Sequence, residues 1–196
     1  MHISSEVLSF PLEVPFAITG HVWTHTKTLR VTVEQDGCVG IGEAVGSYYL
    51  DETAEGMQRE LSDLLPSLPP ELTPESLQSL MPPCGTRNAL DCALWDLRAK
   101  QRGQRIWELL DIEPAPLTTV FTLGIETPAV MAERAAAAAA FPHLKIKLNA
   151  EQPMERLEAI RAARPDASLI IDVNQGWSFD ELREYLPHCE KLGIAM

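Results

Sequence analysis

Beyond residue 117, short aliphatic runs and helical runs alternate at a nearly constant interval, and that interval restricts the fold more than any other feature of the chain. TTVFTLG, LKIKL and SLIIDVN are strand-like, and each begins about 25 residues after the one before. PAVMAERAAAAAAF, PMERLEAIRAAR and SFDELREYLPHCEKLG follow them as helices. A βαβαβα series of this kind implies parallel strands joined by right-handed crossovers. Two details of it need no function. Alanine is the best helix former, so the alanine run 135–140 is helix, and Ser178 with Glu181 forms a capping box at the start of the last helix.

The first hundred or so residues have a different grammar. EVLSFPL alternates, and TLRVTVEQDG followed by CVGIGEA predicts a hairpin over residues 29–44 that closes near Asp36-Gly37. Between them PFAITGHVWTHTK has no period and reads as an exposed loop. Short amphipathic helices are expected over 53–65 and 74–81, separated by a proline-rich stretch. A stronger helix covers 86–103, with Ala89, Cys92, Ala93, Leu97 and Lys100 marking its face and Gly103 its stop. Strands followed by helices make this an α+β unit, and DIEPAPL links it to the βα series.

A chain of 196 residues can bury a proper core, and 45% hydrophobic against 22% charged residues describes a soluble globular protein. The 28 acidic against 16 basic residues, net charge −12, would repel a phosphate backbone and an anionic membrane surface. Nucleic acid and membrane are therefore not expected partners. Cys38, Cys84, Cys92 and Cys189 are scattered without C-x-x-C spacing, which fits reduced thiols, and Cys92 reads as core. The N-terminal residues lack a basic segment followed by an apolar run, and the expected location is the cytoplasm.

LKIKL puts two lysines inside an otherwise apolar strand. Alternation sets Leu144, Ile146 and Leu148 on one side and Lys145 and Lys147 on the other. If the apolar side packs on helices, the lysines point together into a confined space, where mutual repulsion and burial both oppose protonation. The alternative is an edge strand with a wet polar face. One βα unit later, Asp172 and Asn174 share a face at the C-terminal end of their strand, the end at which parallel βα arrays carry ligand sites and catalysis. Asp172 could equally neutralise a lysine and do nothing else.

KIK on one strand, DVNQGW on the next, RNALDCALWDLRAK before the series and GIGEA after the hairpin together resemble the enolase superfamily in its muconate-lactonizing subgroup, and within it the dipeptide epimerases of the L-Ala-D/L-Glu type. The resemblance implies an α+β capping domain, residues 1–112, and the first three βα units of a (β/α)8 TIM-type barrel, residues 113–196, which breaks off as strand 4 begins. It implies α-proton abstraction next to a carboxylate, through an enediolate stabilised by Mg²⁺. Lys147 would be the acid/base on one face of the α-carbon and Lys145 would steady the substrate carboxylate. Asp172 would be the first metal ligand, and Asn174 would support that ligand or the metal's waters. Lys27 sits where family members place a loop cation that meets an acidic substrate side chain, and Thr122 would line the pocket. Phe16 and Trp23 would close over the substrate or pack between domain and barrel; His21 and His25 receive no role.

By the same resemblance, the remaining metal carboxylates, the opposing lysine and a D-x-D pair that binds a dipeptide ammonium come from later strands, so the chain is expected to be the N-terminal part of a longer polypeptide and inactive alone. The expected partner is a small dipeptide, and a homo-oligomer stays open. An N-acylamino-acid racemase, o-succinylbenzoate synthase or cycloisomerase of the same superfamily fits the same motifs. From other classes come a non-catalytic binding fragment and a Schiff-base lysine enzyme on the same barrel.

Overall fold

The computed structural model describes all 196 residues. Packing divides them into two units, Met1–Pro11 with His25–Ala115, and Leu12–Thr24 with Pro116–Met196.

The first unit is built on an antiparallel sheet in the order β1-β2-β3, with β1 at His2–Ile18, β2 at His21–Gln35 and β3 at Cys38–Ala44. The expected hairpin is present, paired from Leu29↔Ala44 to Gln35↔Cys38. Its turn residues Asp36 and Gly37 have φ of 51° and 76°, the positive values that a tight two-residue turn demands. Leu29, Val31 and Val33 are fully buried, and Arg30, Thr32 and Glu34 alternate with them on the other face. Each fully buried aliphatic side chain contributes about 1.5–3 kcal/mol.

The expectation of an exposed loop between the strands is wrong. β1 runs on to Ile18 and β2 starts at His21, so Thr19 and Gly20 alone form the turn, and residues Leu12–Thr24 pack with the second unit. The strands leave no period in the sequence there because few of their residues are fully buried on either face. Pro11 and Pro15 are tolerated in β1 because it is an edge strand, where a missing N–H breaks no central ladder.

Three of the helices that follow start at side-chain caps. Thr53 opens α1 (Ala54–Leu64), Thr73 and Ser76 form a capping box on α2 (Pro74–Leu80), and Cys84 Sγ accepts from Arg87 N–H at the start of α3 (Gly85–Arg102). Gly103, at φ 62°, ends α3 as expected, and a short α4 (Ile106–Leu109) follows. The buried stripe of α3 is Thr86, Ala89, Leu90, Ala93, Leu94 and Leu97. Cys92 and Lys100 lie outside it and are exposed, contrary to expectation, while the α3 backbone at Ala89 and Ala93 lies close over the glycines of β3. From its exposed position Lys100 Nζ donates to the Val39 carbonyl at 2.9 Å, while Asp96 Oδ2 accepts the Ile41 N–H at 2.8 Å, so the two side chains cap the free edge of β3.

Gly40 and Gly42 are required by that contact. A Cβ on Gly42 would lie 2.0 Å from the Ala89 carbonyl oxygen and 2.5 Å from the Ala93 nitrogen, both helix backbone. Gly42→Ala is therefore expected to destabilise the protein by about 1–3 kcal/mol, as overpacking of a rigid contact does. The measurement is the urea midpoint by circular dichroism, and an unshifted midpoint would show that the helix yields without strain.

In the second unit β4 (Phe121–Leu123), β5 (His143–Lys147) and β6 (Ser168–Asp172) form a parallel sheet in that order. The connecting helices are α5 (Pro128–Ala137) and α6 (Pro153–Ala163), and α7 (Phe179–Lys191) follows β6. Leu144, Ile146, Leu148, Met131, Leu157 and Ile160 are fully buried at the centre of this unit. Residue Ile194 bridges in parallel to Leu169, which adds the beginning of a fourth strand; no closed barrel is present. The capping box at Ser178 and Glu181 is formed.

Alanine propensity would carry α5 through residue 140, yet the helix ends at Ala137. The side chain of Arg164, buried at the foot of the unit, donates to the carbonyls of Ala135, Ala138 and Phe141 and so satisfies groups that a helix end leaves without partners. No helix of the chain is long and apolar enough to cross a membrane.

Candidate active site

The register of the parallel sheet determines which side chains meet. Lys147 pairs with Asp172, Lys145 with Ile170, and Thr122 with Lys145, so these residues line one face of adjacent strands at their C-terminal ends. With Leu144, Ile146 and Leu148 fully buried behind them, the lysines occupy the opposite side. The wet edge strand is thereby excluded for Lys147, which keeps 8% of its surface exposed; Lys145 is more open.

Both ammonium groups converge on one carboxylate oxygen. Lys145 Nζ and Lys147 Nζ each lie 2.8 Å from Asp172 Oδ2, and Lys147 Nζ also donates to Asn174 Oδ1 at 2.7 Å. The second oxygen, Asp172 Oδ1, accepts the Asn174 N–H at 3.0 Å. Burial by itself would push the Asp172 carboxyl up; the hydrogen bonds from Lys145, Lys147 and the Asn174 N–H outweigh it and hold the group well below the usual carboxylate range. Three hydrogen bonds thus favour the carboxylate form of Asp172.

Asn174 reaches this cluster by a different route from strand alternation. β6 ends at Asp172, and Asn174 and Gln175 adopt the left-handed conformation with φ of 45° and 64°. Asparagine tolerates that region, and the turn swings its side chain back onto Lys147 while its N–H faces Asp172.

Two supporting residues escaped the sequence reading. Arg156 of α6, 6% exposed, donates through Nε to the Glu126 carbonyl after β4 at 2.8 Å and through its guanidinium to Asn149 Oδ1 after β5 at 2.7 Å. Trp177 Nε1, after β6, donates to the Asn149 carbonyl at 2.9 Å. These bonds tie together the three loops that follow the strands. The available signal for Arg156 was an arginine within the inward stripe Pro153, Arg156, Leu157, Ile160 of α6.

Thr122 is half-buried beside Lys145 in register. Lys27 belongs to the first unit, where its Nζ lies 2.5 Å from Glu55 Oε1 in a largely exposed pair. Phe16 and Trp23, in the hairpin tip, have ring centroids 6.2 Å apart.

The residues present do not by themselves fit a resident Mg²⁺. The ion wants a near-octahedral set of oxygens, no group of three or more His, Cys, Asp or Glu residues that could hold a metal is present, and both oxygens of Asp172 already accept hydrogen bonds. Asp172 is the hard oxygen ligand that this face can contribute to a larger set.

Comparison with known proteins identifies the family of the chain. Residues 3–111 match the mandelate racemase / muconate lactonizing enzyme N-terminal domain, and residues 129–196 match the enolase C-terminal domain-like family. The L-Ala-D/L-Glu epimerase of Escherichia coli is 36% identical over 191 residues, which cover 96% of this chain and 60% of the relative. Among solved structures, an enolase family member from Agrobacterium tumefaciens with homology to dipeptide epimerases, holding sodium and L-Ala-L-Glu, is 35% identical with a TM-score of 0.92 and is covered over 59% of its length by 98% of this chain. The dipeptide epimerase of Methylococcus capsulatus, complexed with Mg and L-Arg-D-Lys, is 29% identical with a TM-score of 0.85, with 98% of this chain covering 59% of it. The chain thus spans about 60% of the length of these three relatives. With residues 3–111, more than half of the chain, matched by the first family and residues 129–196 by the second, the chain belongs to the mandelate racemase and muconate lactonizing enzyme family of the enolase superfamily.

Proposed function

We propose that these residues serve, within a complete barrel, a dipeptide epimerase of the L-Ala-D/L-Glu type that works by abstracting the α-proton of a carboxylate-bearing residue. The observation that carries this reading is the buried Lys147 amine, held between Asp172 and Asn174 at the C-terminal end of a parallel strand. As a base Lys147 acts as the neutral amine, with two N–H protons and a lone pair. Asp172 and Asn174 accept from the two N–H groups, so the lone pair is the position left to take the proton of the substrate. In the reaction the α C–H bond breaks, its proton passes to Lys147 Nζ, and the electron pair moves into the substrate carboxylate as an enediolate. Lys145, on the same face, offers a cation to that developing dianion. Return of a proton from the opposite face gives the other stereoisomer and requires a second acid outside these residues. Thr122, beside Lys145, borders the carboxylate end of the substrate.

Mg²⁺ belongs to the proposal as the cofactor of the complete barrel, with Asp172 one ligand among several, and would neutralise charge on the substrate carboxylate. The contacts of Lys145 and Lys147 with Asp172 support the roles given to the lysines. The homology of the Agrobacterium protein to dipeptide epimerases and its L-Ala-L-Glu ligand support a free dipeptide as substrate.

The test is to incubate the complete protein with L-Ala-L-Glu and Mg²⁺ in deuterium oxide and to follow the glutamyl α-proton by NMR. Loss of that signal together with appearance of the D-glutamyl isomer is expected. An intact α-proton combined with borohydride trapping of a carbonyl substrate on Lys147 would replace the epimerase with a Schiff-base enzyme.

A further inference from the structure

The parallel ladder between β5 and β6 breaks at one identifiable bond. Leu148 N–H donates to the Asp172 carbonyl at 3.3 Å, and in an uninterrupted ladder the Leu148 carbonyl would then accept the N–H of Asn174. That N–H goes instead to Asp172 Oδ1, at 3.0 Å. The backbone carbonyl next to Lys147 is thereby released from the sheet, and a released carbonyl in a crowded site needs a donor.

Thr19 supplies one. Its hydroxyl, at the turn of the β1–β2 hairpin, lies 3.1 Å from the Leu148 carbonyl oxygen and 2.9 Å from that of Val173. Thr19 is among the residues Leu12–Thr24 that pack with the second unit, and its seat is close: a Cβ on Gly176 would come within 2.5 Å of Thr19 Oγ1. Two residues earlier the Ala17 carbonyl accepts the Ile125 N–H at 3.0 Å, which anchors the same segment beyond the end of β4. The Val173 carbonyl also accepts the Gly176 N–H at 2.8 Å, so the hydroxyl proton matters most to Leu148.

We infer that Thr19 is a positioning residue for the Asp172 carboxylate: its hydroxyl replaces the ladder donor that Asn174 withdraws, and so allows the Asn174 N–H to hold Asp172 Oδ1. Without the hydroxyl, the Leu148 carbonyl and the carboxylate compete for a single N–H. If Asn174 closes the ladder, Asp172 loses one of its fixed contacts and turns, and Lys147, bonded to the same carboxylate, moves with it. The consequence for turnover rests on the epimerase reading; the exchange of hydrogen bonds does not.

Thr19→Val keeps the branched shape and removes the donor, whereas Thr19→Ser keeps the donor. In the complete protein Thr19→Val should lower kcat for α-proton exchange about tenfold or more while KM stays within about threefold, and Thr19→Ser should remain within about threefold of wild type. In isotope-labelled protein the Asn174 amide should show coupling across its hydrogen bond to the Asp172 carboxyl carbon in wild type and Thr19→Ser, and to the Leu148 carbonyl carbon in Thr19→Val. If Thr19→Val does not fold, Thr19→Ala takes its place. An unchanged kcat without the hydroxyl, an equal loss in the serine variant, or an Asn174 amide still coupled to Asp172 in the valine variant would each overturn the inference. If the wild-type protein exchanges no α-proton, the epimerase reading falls and the Asn174 coupling alone decides the role of Thr19.

Discussion

Lys147→Ala in the complete protein is expected to abolish exchange of the substrate α-proton from one stereoisomer and to leave the fold intact. A positioned general base contributes about 10²–10⁴-fold, and its removal on one face of the α-carbon leaves the other face served by whatever group opposes it. The structure gives a reason to expect a folded variant. Asp172 keeps Lys145 at 2.8 Å and the Asn174 N–H at 3.0 Å when Lys147 is lost, so no charge is stranded. The assay is deuterium incorporation measured separately from each isomer of the dipeptide, with a thermal melt as control. Equal, undiminished incorporation from both isomers would remove Lys147 from the chemistry.

Asp172→Asn is expected to be the more disruptive change, because it takes the anion from between two ammonium groups. Lys147 is the partner that suffers, with 10% of its side chain exposed and little water to replace the lost charge. Removing one partner of a buried pair costs about 3–5 kcal/mol, and the 28% exposure of the Asp172 side chain puts the loss near the lower end. Activity should fall with stability, since Lys145 and Lys147 would repel each other where the carboxylate held them. If the complete protein binds Mg²⁺ through Asp172, metal affinity falls in the same variant. A melting temperature and a Mg²⁺ titration both equal to those of wild type would show that the carboxylate neither holds the lysines nor meets the ion.

The parts of this protein legible in its sequence are those that repetition along the chain dictates. The interval between the aliphatic runs sets strands and helices in alternation and makes the strands parallel, and the order β4-β5-β6 follows it. The period of two in LKIKL already separates Leu144, Ile146 and Leu148 from Lys145 and Lys147, and the Asp36-Gly37 pair specifies the hairpin turn through its positive φ values. The alternation and the turn are local properties, settled by neighbours a few residues away, and the interval repeats one βα unit along the chain.

What the sequence could not decide depends on contacts made across the fold. The hairpin tip looks aperiodic because its strands have no single buried face, and α3 buries Leu90 and Leu94 in its stripe while Cys92 is exposed, which depends on how the helix packs. Asn174 meets Lys147 through a left-handed turn, Arg156 reaches the Glu126 carbonyl at a separation of 30 residues, and Thr19 donates to the Leu148 carbonyl at a separation of 129 residues. The physical reason is common to all of them. Periodicity states which face a residue takes, but the partner of a buried polar group is whichever donor or acceptor the packed backbone brings within about 3 Å, and that is known only once the chain has folded.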